Sequence, residues 1–204
     1  MNAIDAIFYI AVLIMSVVIH EVSHGFMALY YGDTTAKNSG RLTVNPLVHL
    51  DLFGSVLLPA FLYFTTGFAF GWAKPVPYNP DNLRDRKWGT IWVAAAGILA
   101  NLFIAVLFGL ILRFSFGYAV PEKFITIVSS IVFINLALAL FNLVPIPPLD
   151  GSKIFFNLLP SSFYRAISFI EQYSLIFLIV FIAFFSDYLA IPLLFLFRLI
   201  TGIQ

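Results

Sequence analysis

Long apolar runs dominate the chain, and they predict a helical membrane protein. A helix needs about 20 mostly apolar residues to cross the hydrocarbon core of a bilayer. Six runs approach or reach that length, namely 6–31, 52–72, 88–114, 124–145, 169–186 and 188–201. The last run is short and contains Pro192. The predicted fold class is therefore an all-α, polytopic bundle of about five to six transmembrane segments.

One polar stretch between the runs has a different pattern. Residues 37–49 combine Asn38, Gly40, Thr43 and Val44 in a turn followed by alternating positions. This pattern predicts a small β-hairpin at the membrane surface.

The composition supports a membrane protein. Hydrophobic residues make up 61% of the chain and charged residues 10%, whereas a soluble domain carries about 25% charged residues. So few charges cannot cover a water-facing surface, which excludes an ordinary cytosolic enzyme, a disordered segment and a nucleic-acid binder. Cysteine is absent, so disulfide and thiolate chemistry are excluded. Asp5 is the only charge before the first run, which indicates a retained span and not a cleaved signal peptide.

The strongest chemical signal is His20-Glu21-Val22-Ser23-His24, inside the first apolar run. Histidines at positions i and i+4 share one helix face, so their imidazoles can bind one Zn²⁺. The glutamate between them can act as a general base on a nearby water. Ionisable groups are costly inside an apolar span and usually functional. The motif also holds two of the three histidines of the chain, so we interpret it as a metal site.

A third metal ligand must come from elsewhere, because a catalytic zinc typically has three protein ligands and one open position. The candidates are His49 and the acidic residues. Asp150 differs from the other acids because it follows the 124–145 run in a segment stiffened by three prolines. Irregular backbone at membrane depth is tolerated only where it is buried or lines a cavity. From these residues alone, a metal ligand and a helix cap are equally good interpretations of Asp150, and His49 is interpreted as a non-ligand.

Two motifs together resemble the site-2 protease family, whose members are zinc intramembrane metalloproteases. They are His20-Glu21-x-x-His24 in the first run and Asn142-x-x-Pro145-x-Pro147-x-Leu149-Asp150-Gly151 after a later one. Further matching segments are Asn45–Asp51, Gly71–Pro77 and Ala96–Asn101. The resemblance covers roughly residues 8–160, and it is to short members without accessory domains. It implies a single integral membrane metalloprotease domain over 1–204, with a core at 5–160 and C-terminal helices at 168–204.

The resemblance also assigns roles to particular residues. It implies one zinc ion per chain, held by His20, His24 and Asp150, with Glu21 as the catalytic base. It implies that Asn142 is a second catalytic residue, which donates to the scissile carbonyl. The alternative for Asn142 is an interhelical hydrogen bond. Gly97 and Asn101 lie at i and i+4, and we interpret them as helix packing behind the site.

The implied function is zinc-dependent hydrolysis of peptide bonds in membrane-spanning substrates, within or near the bilayer. The expected partners are a transmembrane protein or peptide and the lipid bilayer, with no nucleic acid. An unwound substrate strand could pair with the 37–49 hairpin or the 52–72 segment. The alternative from another class is a membrane transporter or ion pathway that uses the same His, Glu and Asp residues. A zinc hydrolase of non-peptide bonds and a non-catalytic scaffold are further alternatives.

A single shared metal constrains the topology. The ends of the first run and of the 124–145 run must then face the same leaflet. Since 88–114 is one crossing, 52–72 cannot be another single crossing, and we predict a re-entrant segment there, which Gly54, Pro59 and Gly67 favour. One side then receives Lys37, Arg41, Lys74, Arg84, Arg86, Lys87, Lys153 and Arg165, and the other receives Arg113 and Lys123. This bias predicts a multi-pass protein of the cell membrane, with its N-terminus outside and its active site toward the cytoplasm.

Overall fold

The computed structural model describes residues 3–51, 54, 57, 61, 64–65, 74–115 and 117–203. Its α-helices are α1 (Ala3–Tyr30), α2 (Thr35–Asn38), α3 (Pro46–His49), α4 (Arg86–Ser115), α5 (Glu122–Leu143), α6 (Asp150–Leu158), α7 (Tyr164–Gln172), α8 (Ser174–Phe184) and α9 (Ala190–Thr201). Short 3-10 turns cover Pro80–Asn82, Ser161–Phe163 and Ser186–Leu189. The described residues contain no strand, which agrees with the predicted all-α class.

Three helices are long and apolar enough to cross a bilayer, and they match three of the predicted runs. They are Asp5–Tyr30 of α1, α4 and α5. The segments Ser161–Gln172 and Ser174–Phe184 reach that length only together, and they are bent by 73°. If that pair is one span, the described residues contain four. The predicted 52–72 run lies almost wholly outside the described residues.

The β-hairpin predicted over 37–49 is wrong, because these residues form two short helices joined by a turn. Gly40 has φ +64°, a backbone conformation that glycine adopts easily. Asn45 caps α3, since its side-chain oxygen accepts from the Leu47 N–H at 3.1 Å. Pro46 follows at the first helical position, where its missing N–H costs no hydrogen bond. The residues that resembled turn and strand are therefore the cap and start of a helix.

Helix α4 lies at the centre of the bundle and packs against α1, α5, α6 and α9. Ala105 of α4 is fully buried, and it shares an apolar cluster with Val132 and Leu136 of α5 and Leu193 of α9. Many large apolar side chains elsewhere are exposed, such as Phe103 on the opposite face of α4. This arrangement suits helices whose outer faces meet lipid and whose inner faces meet one another.

The long connection between α1 and α4 leaves and returns at one end of the bundle. The Arg84 N–H donates to the Tyr31 carbonyl at 2.9 Å. Asp33, which is fully buried, joins the two arms of the connection. Its carboxylate accepts from the Thr35 N–H at 3.0 Å and from the Asn79 N–H at 2.7 Å. Residues 74–85 are thereby held beside the C-terminal end of α1.

Candidate metal centre

The two histidines of α1 meet Asp150 in the interior of the bundle. His20, His24 and Asp150 are all buried. Asp150 Oδ2 lies 3.0 Å from His20 Nε2 and 3.1 Å from His24 Nε2. Asp150 is the first residue of α6, while Leu149 holds the N-cap position and no side chain caps the helix. The alternative interpretation of Asp150 as a helix cap therefore has no support in the geometry.

Tight packing at the start of α6 holds Asp150 in this place. The next residue is Gly151, and a side chain there would collide with the carbonyl of Leu143, at the end of α5. Glycine therefore lets the first turn of α6 press directly against the preceding helix. Contacts between α4 and α6 hold the new helix from the other side.

Each imidazole ring is held by a hydrogen bond at Nδ1, the ring nitrogen that does not face Asp150. His24 Nδ1 lies 2.6 Å from the Val93 carbonyl, and His20 Nδ1 lies 2.6 Å from Asn101 Oδ1. A carbonyl oxygen only accepts, so Nδ1 of each ring is the donor. In the neutral ring the other nitrogen then carries a lone pair. Both Nε2 lone pairs consequently face Asp150.

The two Nε2 atoms and Asp150 Oδ2 form a set of potential ligand atoms that fits a metal ion. Three atoms with lone pairs, two Nε2 and one Oδ2, face one another with Oδ2 at 3.0–3.1 Å from each Nε2, and a positive charge between them, a metal ion or a proton on a ring nitrogen, makes that arrangement favourable. Imidazole nitrogen and carboxylate oxygen are ordinary zinc ligands. Ligands bound at about 2.0–2.1 Å to a tetrahedral zinc lie roughly 3.3 Å apart, close to the separations at Asp150. Potential ligand atoms of His20, Glu21 and His24 also lie within 4.8 Å of one another.

Glu21 lies beside these ligands and is bound to a loop. Its Oε2 accepts from the Val76 N–H at 2.9 Å. Pro75 and Pro77 lack an N–H group, so Val76 supplies the backbone donor at this point of the loop. Arg41, which is buried, donates to the Lys74 carbonyl at 2.8 Å and so fixes the approach of the loop.

A cavity of about 200 Å³ opens at the site. Its lining includes the four candidate site residues His20, Glu21, His24 and Asp150, together with Tyr78, Asn142 and Lys153. Lys153 Nζ lies 3.2 Å from Asp150 Oδ1 and 5.8 Å from the centre of the Tyr78 ring. The two oxygens of Asp150 thus have different partners. Burial lowers the pKa of Lys153, but the charge of Asp150 outweighs it, so that the pKa is raised and the ammonium group persists.

Asn142 is placed in the cavity, as the sequence motif suggested. Its Nδ2 donates to the Leu138 carbonyl at 3.0 Å, one turn earlier on α5. This bond uses one of the two amide hydrogens. His49, in contrast, is buried but does not belong to the group of potential metal ligands found among the described residues. Its Nε2 donates to the Thr43 carbonyl at 2.8 Å.

Sequence reasoning missed two residues behind the site. Asn101, interpreted from the sequence as helix packing, forms an interhelical hydrogen bond to Asn135 of α5, at 2.8 Å. Asn135 in turn donates to Ser16 Oγ of α1 at 2.9 Å. Ser16, Asn101 and Asn135 are all buried. The available signal was a polar side chain inside each of three apolar runs.

Comparisons with known proteins give a consistent result. A family model described as Peptidase family M50 matches residues 117–186. The chain is 36% identical over 194 residues to a Bacillus subtilis protein named "Putative zinc metalloprotease YwhC", covering 92% of this chain and 85% of that protein. It is 33% identical over 146 residues to "Putative zinc metalloprotease Rip2" of Mycolicibacterium smegmatis, covering 71% and 54% of the two chains. No solved structure matches the chain significantly.

Proposed function

Because this chain is a metalloprotease of peptidase family M50, the family of the site-2 proteases, we propose that it cuts membrane-spanning proteins within or near the bilayer. His20, His24 and Asp150 are the proposed ligands of one zinc ion. Glu21 is the proposed catalytic base. The observation that carries the proposal is the convergence of two Nε2 lone pairs and Asp150 Oδ2 at 3.0–3.1 Å.

The proposed mechanism assigns a task to each group that lines the cavity. Bound zinc supplies Lewis-acid polarisation and lowers the pKa of water. Glu21 takes the proton of the attacking water and returns it to the leaving amine. Asn142 donates an amide hydrogen to the carbonyl oxygen as charge develops there. Lys153 holds Asp150 Oδ1, which leaves Oδ2 for the metal.

Two features support a site inside the bilayer. The histidines belong to a helix that is long and apolar enough to span. His24 also lies six residues before the end of α1 at Tyr30, which at 1.5 Å per residue places it roughly 9 Å below that end. A peptide bond inside a helix is shielded by its own hydrogen bonds. A membrane-spanning substrate must therefore unwind before Glu21 and water can reach it.

The proposed topology has a re-entrant 52–72 segment and an active site toward the cytoplasm. The hydrogen bond between Arg84 N and Tyr31 O supports it, because the chain between them leaves and returns at the same end of the bundle. Most of the lysines and arginines belong to the polar segments that the proposed topology places at that end, which favours the cytoplasmic side. The N-terminus is accordingly placed outside.

The test of the catalytic assignment is the variant Glu21→Gln, which keeps the shape of the side chain and removes its basicity. We expect cleavage to fall by about 10²–10⁴-fold, the range for loss of a general base, while zinc stays near one ion per chain. Purified protein is reconstituted with helical transmembrane peptides, products are read by mass spectrometry, and zinc is read by atomic emission.

The matched control is Glu122→Gln, which removes an exposed carboxylate at the start of α5 and should leave cleavage unchanged. Full cleavage by Glu21→Gln would remove Glu21 from its assigned task. A wild-type protein that binds zinc reversibly and cuts no peptide would favour the transporter alternative.

A further inference from the structure

Behind the proposed ligands lies a second polar cluster, which we call the amide relay: Ser16 of α1, Asn101 of α4 and Asn135 of α5. Asn101 and Asn135 have no exposed surface, and Ser16 is 4% exposed. A polar group inside a membrane bundle is costly unless it is hydrogen-bonded. Each member of the amide relay is bonded to another member, and one end of the relay reaches His20.

The amide relay runs in one direction. Ser16 Oγ accepts from Asn135 Nδ2 at 2.9 Å, and Asn135 Oδ1 accepts from Asn101 Nδ2 at 2.8 Å. Asn101 Oδ1 then lies 2.6 Å from His20 Nδ1. Along the amide relay, both side-chain amides therefore turn their nitrogen toward the Ser16 end and their oxygen toward the His20 end.

Two backbone carbonyls fix this direction. Asn101 Nδ2 also faces the Ser16 carbonyl at 3.3 Å, and Asn135 Nδ2 also faces the Ile131 carbonyl at 2.8 Å. If either amide were flipped, its oxygen would face a carbonyl oxygen, and two acceptors would repel. Asn101 must then present its oxygen to His20, and His20 must donate through Nδ1.

We propose that Asn101 and Asn135 are positioning residues that hold the proton of His20 on Nδ1, so that Nε2 keeps a free lone pair for the metal. The inference rests on the proposed metal site. The amide relay touches neither metal nor substrate, and it acts only through His20. His24 receives the same orientation from the Val93 carbonyl, which no side-chain substitution removes. The two ligands of one helix thus provide a test position and an internal control.

The first experiment reads the proton directly. The full chain is labelled with ¹⁵N-histidine, reconstituted in bilayers without metal at alkaline pH, and studied by solid-state NMR, which distinguishes a protonated ring nitrogen from a bare one. The chain has three histidines, so the spectrum is simple. We expect protonated Nδ1 in His20 and His24 and a bare Nδ1 in His49, whose Nε2 bonds Thr43. Substitutions His24→Gln and His49→Gln assign the signals.

Two substitutions at Asn101 separate positioning from packing. Asn101→Leu removes the acceptor, so we expect a bare Nδ1 in His20 and an unchanged His24. Asn101→Asp keeps an acceptor oxygen for His20 but replaces the donor to Asn135 and to the Ser16 carbonyl with a second acceptor. It should keep the proton on Nδ1 of His20 while it breaks the rest of the amide relay. A role in packing alone would leave the His20 proton in place in both variants. If Asn101→Leu does not fold, the wild-type spectrum still tests the inference, because a bare Nδ1 in His20 would overturn it.

The second experiment measures zinc affinity by competition with a chromophoric chelator. Loss of an orienting partner behind a metal ligand typically costs 10–100-fold in affinity, and we expect that loss in Asn101→Leu and a smaller loss in Ser16→Ala. The control is Ser130→Ala, because Ser130 is buried on α5 and its hydroxyl, as far as the described part of the chain shows, donates only to the Thr126 carbonyl of its own helix. Its zinc affinity should match the wild type.

The outcomes for the amide relay and for the proposed function are distinct. A wild-type His20 with a bare Nδ1, or zinc affinity within twofold of wild type in folded Asn101→Leu, would overturn the inference and leave the metalloprotease intact. Absence of zinc binding by the wild type would overturn the proposed metal site, while the metal-free spectrum would still judge the amide relay.

Discussion

At the scale of single residues, Gly97 of α4 gives the two imidazoles their space. A Cβ atom at this position would lie 2.6 Å from Cε1 of His20 and 2.6 Å from Cε1 of His24, closer than real Cβ contacts. Neither ring can retreat freely, because Val93 and Asn101 hold them through Nδ1. The smallest residue is therefore required where α4 passes the ligands.

We expect Gly97→Ala to weaken zinc binding by at least about 10-fold, the low end of the range for a disturbed ligand. The helix itself should be unaffected, because alanine favours helix over glycine. Zinc affinity is measured by chelator competition and helicity by circular dichroism. Gly117→Ala is the control, since a Cβ there meets nothing within 4 Å. Wild-type affinity in Gly97→Ala would mean that the rings move aside at no cost.

The sequence predicts some residues of this site and hides others, for a physical reason. His20, Glu21 and His24 lie within one helical turn, so their spacing alone reveals a shared face. Asn135 and Ser16 are 119 positions apart in the chain, and their pairing depends on how the helices rotate and pack. No local pattern distinguishes an asparagine of the amide relay from one that serves only as packing.

At the scale of elements, the apolar runs predict helices well and the polar connections poorly. A backbone in lipid must satisfy its own hydrogen bonds, so a long apolar run has few options besides a helix. That is why 88–114 lies within α4, and 124–145 lies within α5 except for its last two residues. In the polar connections, side chains such as Asn45 and Asp33 compete with the backbone for hydrogen bonds. Asn45 caps a short helix in this way, in place of the predicted hairpin.

Asp33 gives the connection between α1 and α4 a dependence on pH. Burial raises the pKa of its carboxyl, but hydrogen bonds from Thr35, Asn82 and Asn79 outweigh burial, and the pKa lies below its ordinary value of 3.8. A lowered pKa means that Asp33 contributes stability above the unfolded pKa, and that this contribution disappears as the pH falls through the folded pKa. The hydrogen bonds are therefore complete at neutral pH.

We expect Asp33→Asn to be less stable than wild type at pH 7, by about 1–3 kcal/mol, the cost of breaking buried hydrogen bonds. The difference should shrink as the pH falls below about 4, where the carboxyl of the unfolded chain takes up a proton, and it should vanish once the pH is below the lower pKa of the folded carboxyl. Thermal unfolding followed by tryptophan fluorescence measures both. Asp81→Asn, which changes an exposed carboxylate, is the control. A constant difference from pH 7 to pH 3 would contradict this account.

At the scale of the whole molecule, the shared site restricts the path of the chain through the membrane. The proposal that one ion joins α1 to the start of α6 predicts that the ends of α1 and α5 share a side. The 3.0 Å contact between His20 and Asp150 brings these two helices together, and the number of crossings stays a prediction. The sequence could predict this because the constraint is a matter of counting crossings. It could not give the route between Tyr31 and Arg84, which depends on many weak contacts.

We expect single cysteines to report the proposed orientation cleanly, because the chain has none of its own. Ser39 lies in an exposed turn at the end of the bundle that holds the candidate site, and the exposed Tyr118 lies at the other end. The two test variants are Ser39→Cys and Tyr118→Cys. In intact cells a membrane-impermeant maleimide should label position 118, and it should label position 39 only after permeabilisation. The reverse pattern would invert the orientation, and labelling of both positions in intact cells would contradict the proposed topology.

The amide relay also favours one rotation of each long helix about its own axis. Apolar side chains meet lipid tails almost as favourably as they meet one another, so apolar packing alone selects weakly among rotated arrangements. One residue of slippage turns a helix face by about 100°, which would carry Ser16, Asn101 or Asn135 out of reach of its partner. In coiled coils a single buried asparagine selects one alignment at a cost in stability. Here hydrogen bonds join three helices through Ser16, Asn101 and Asn135, and they favour the one rotation of each helix at which the proposed metal ligands face inward.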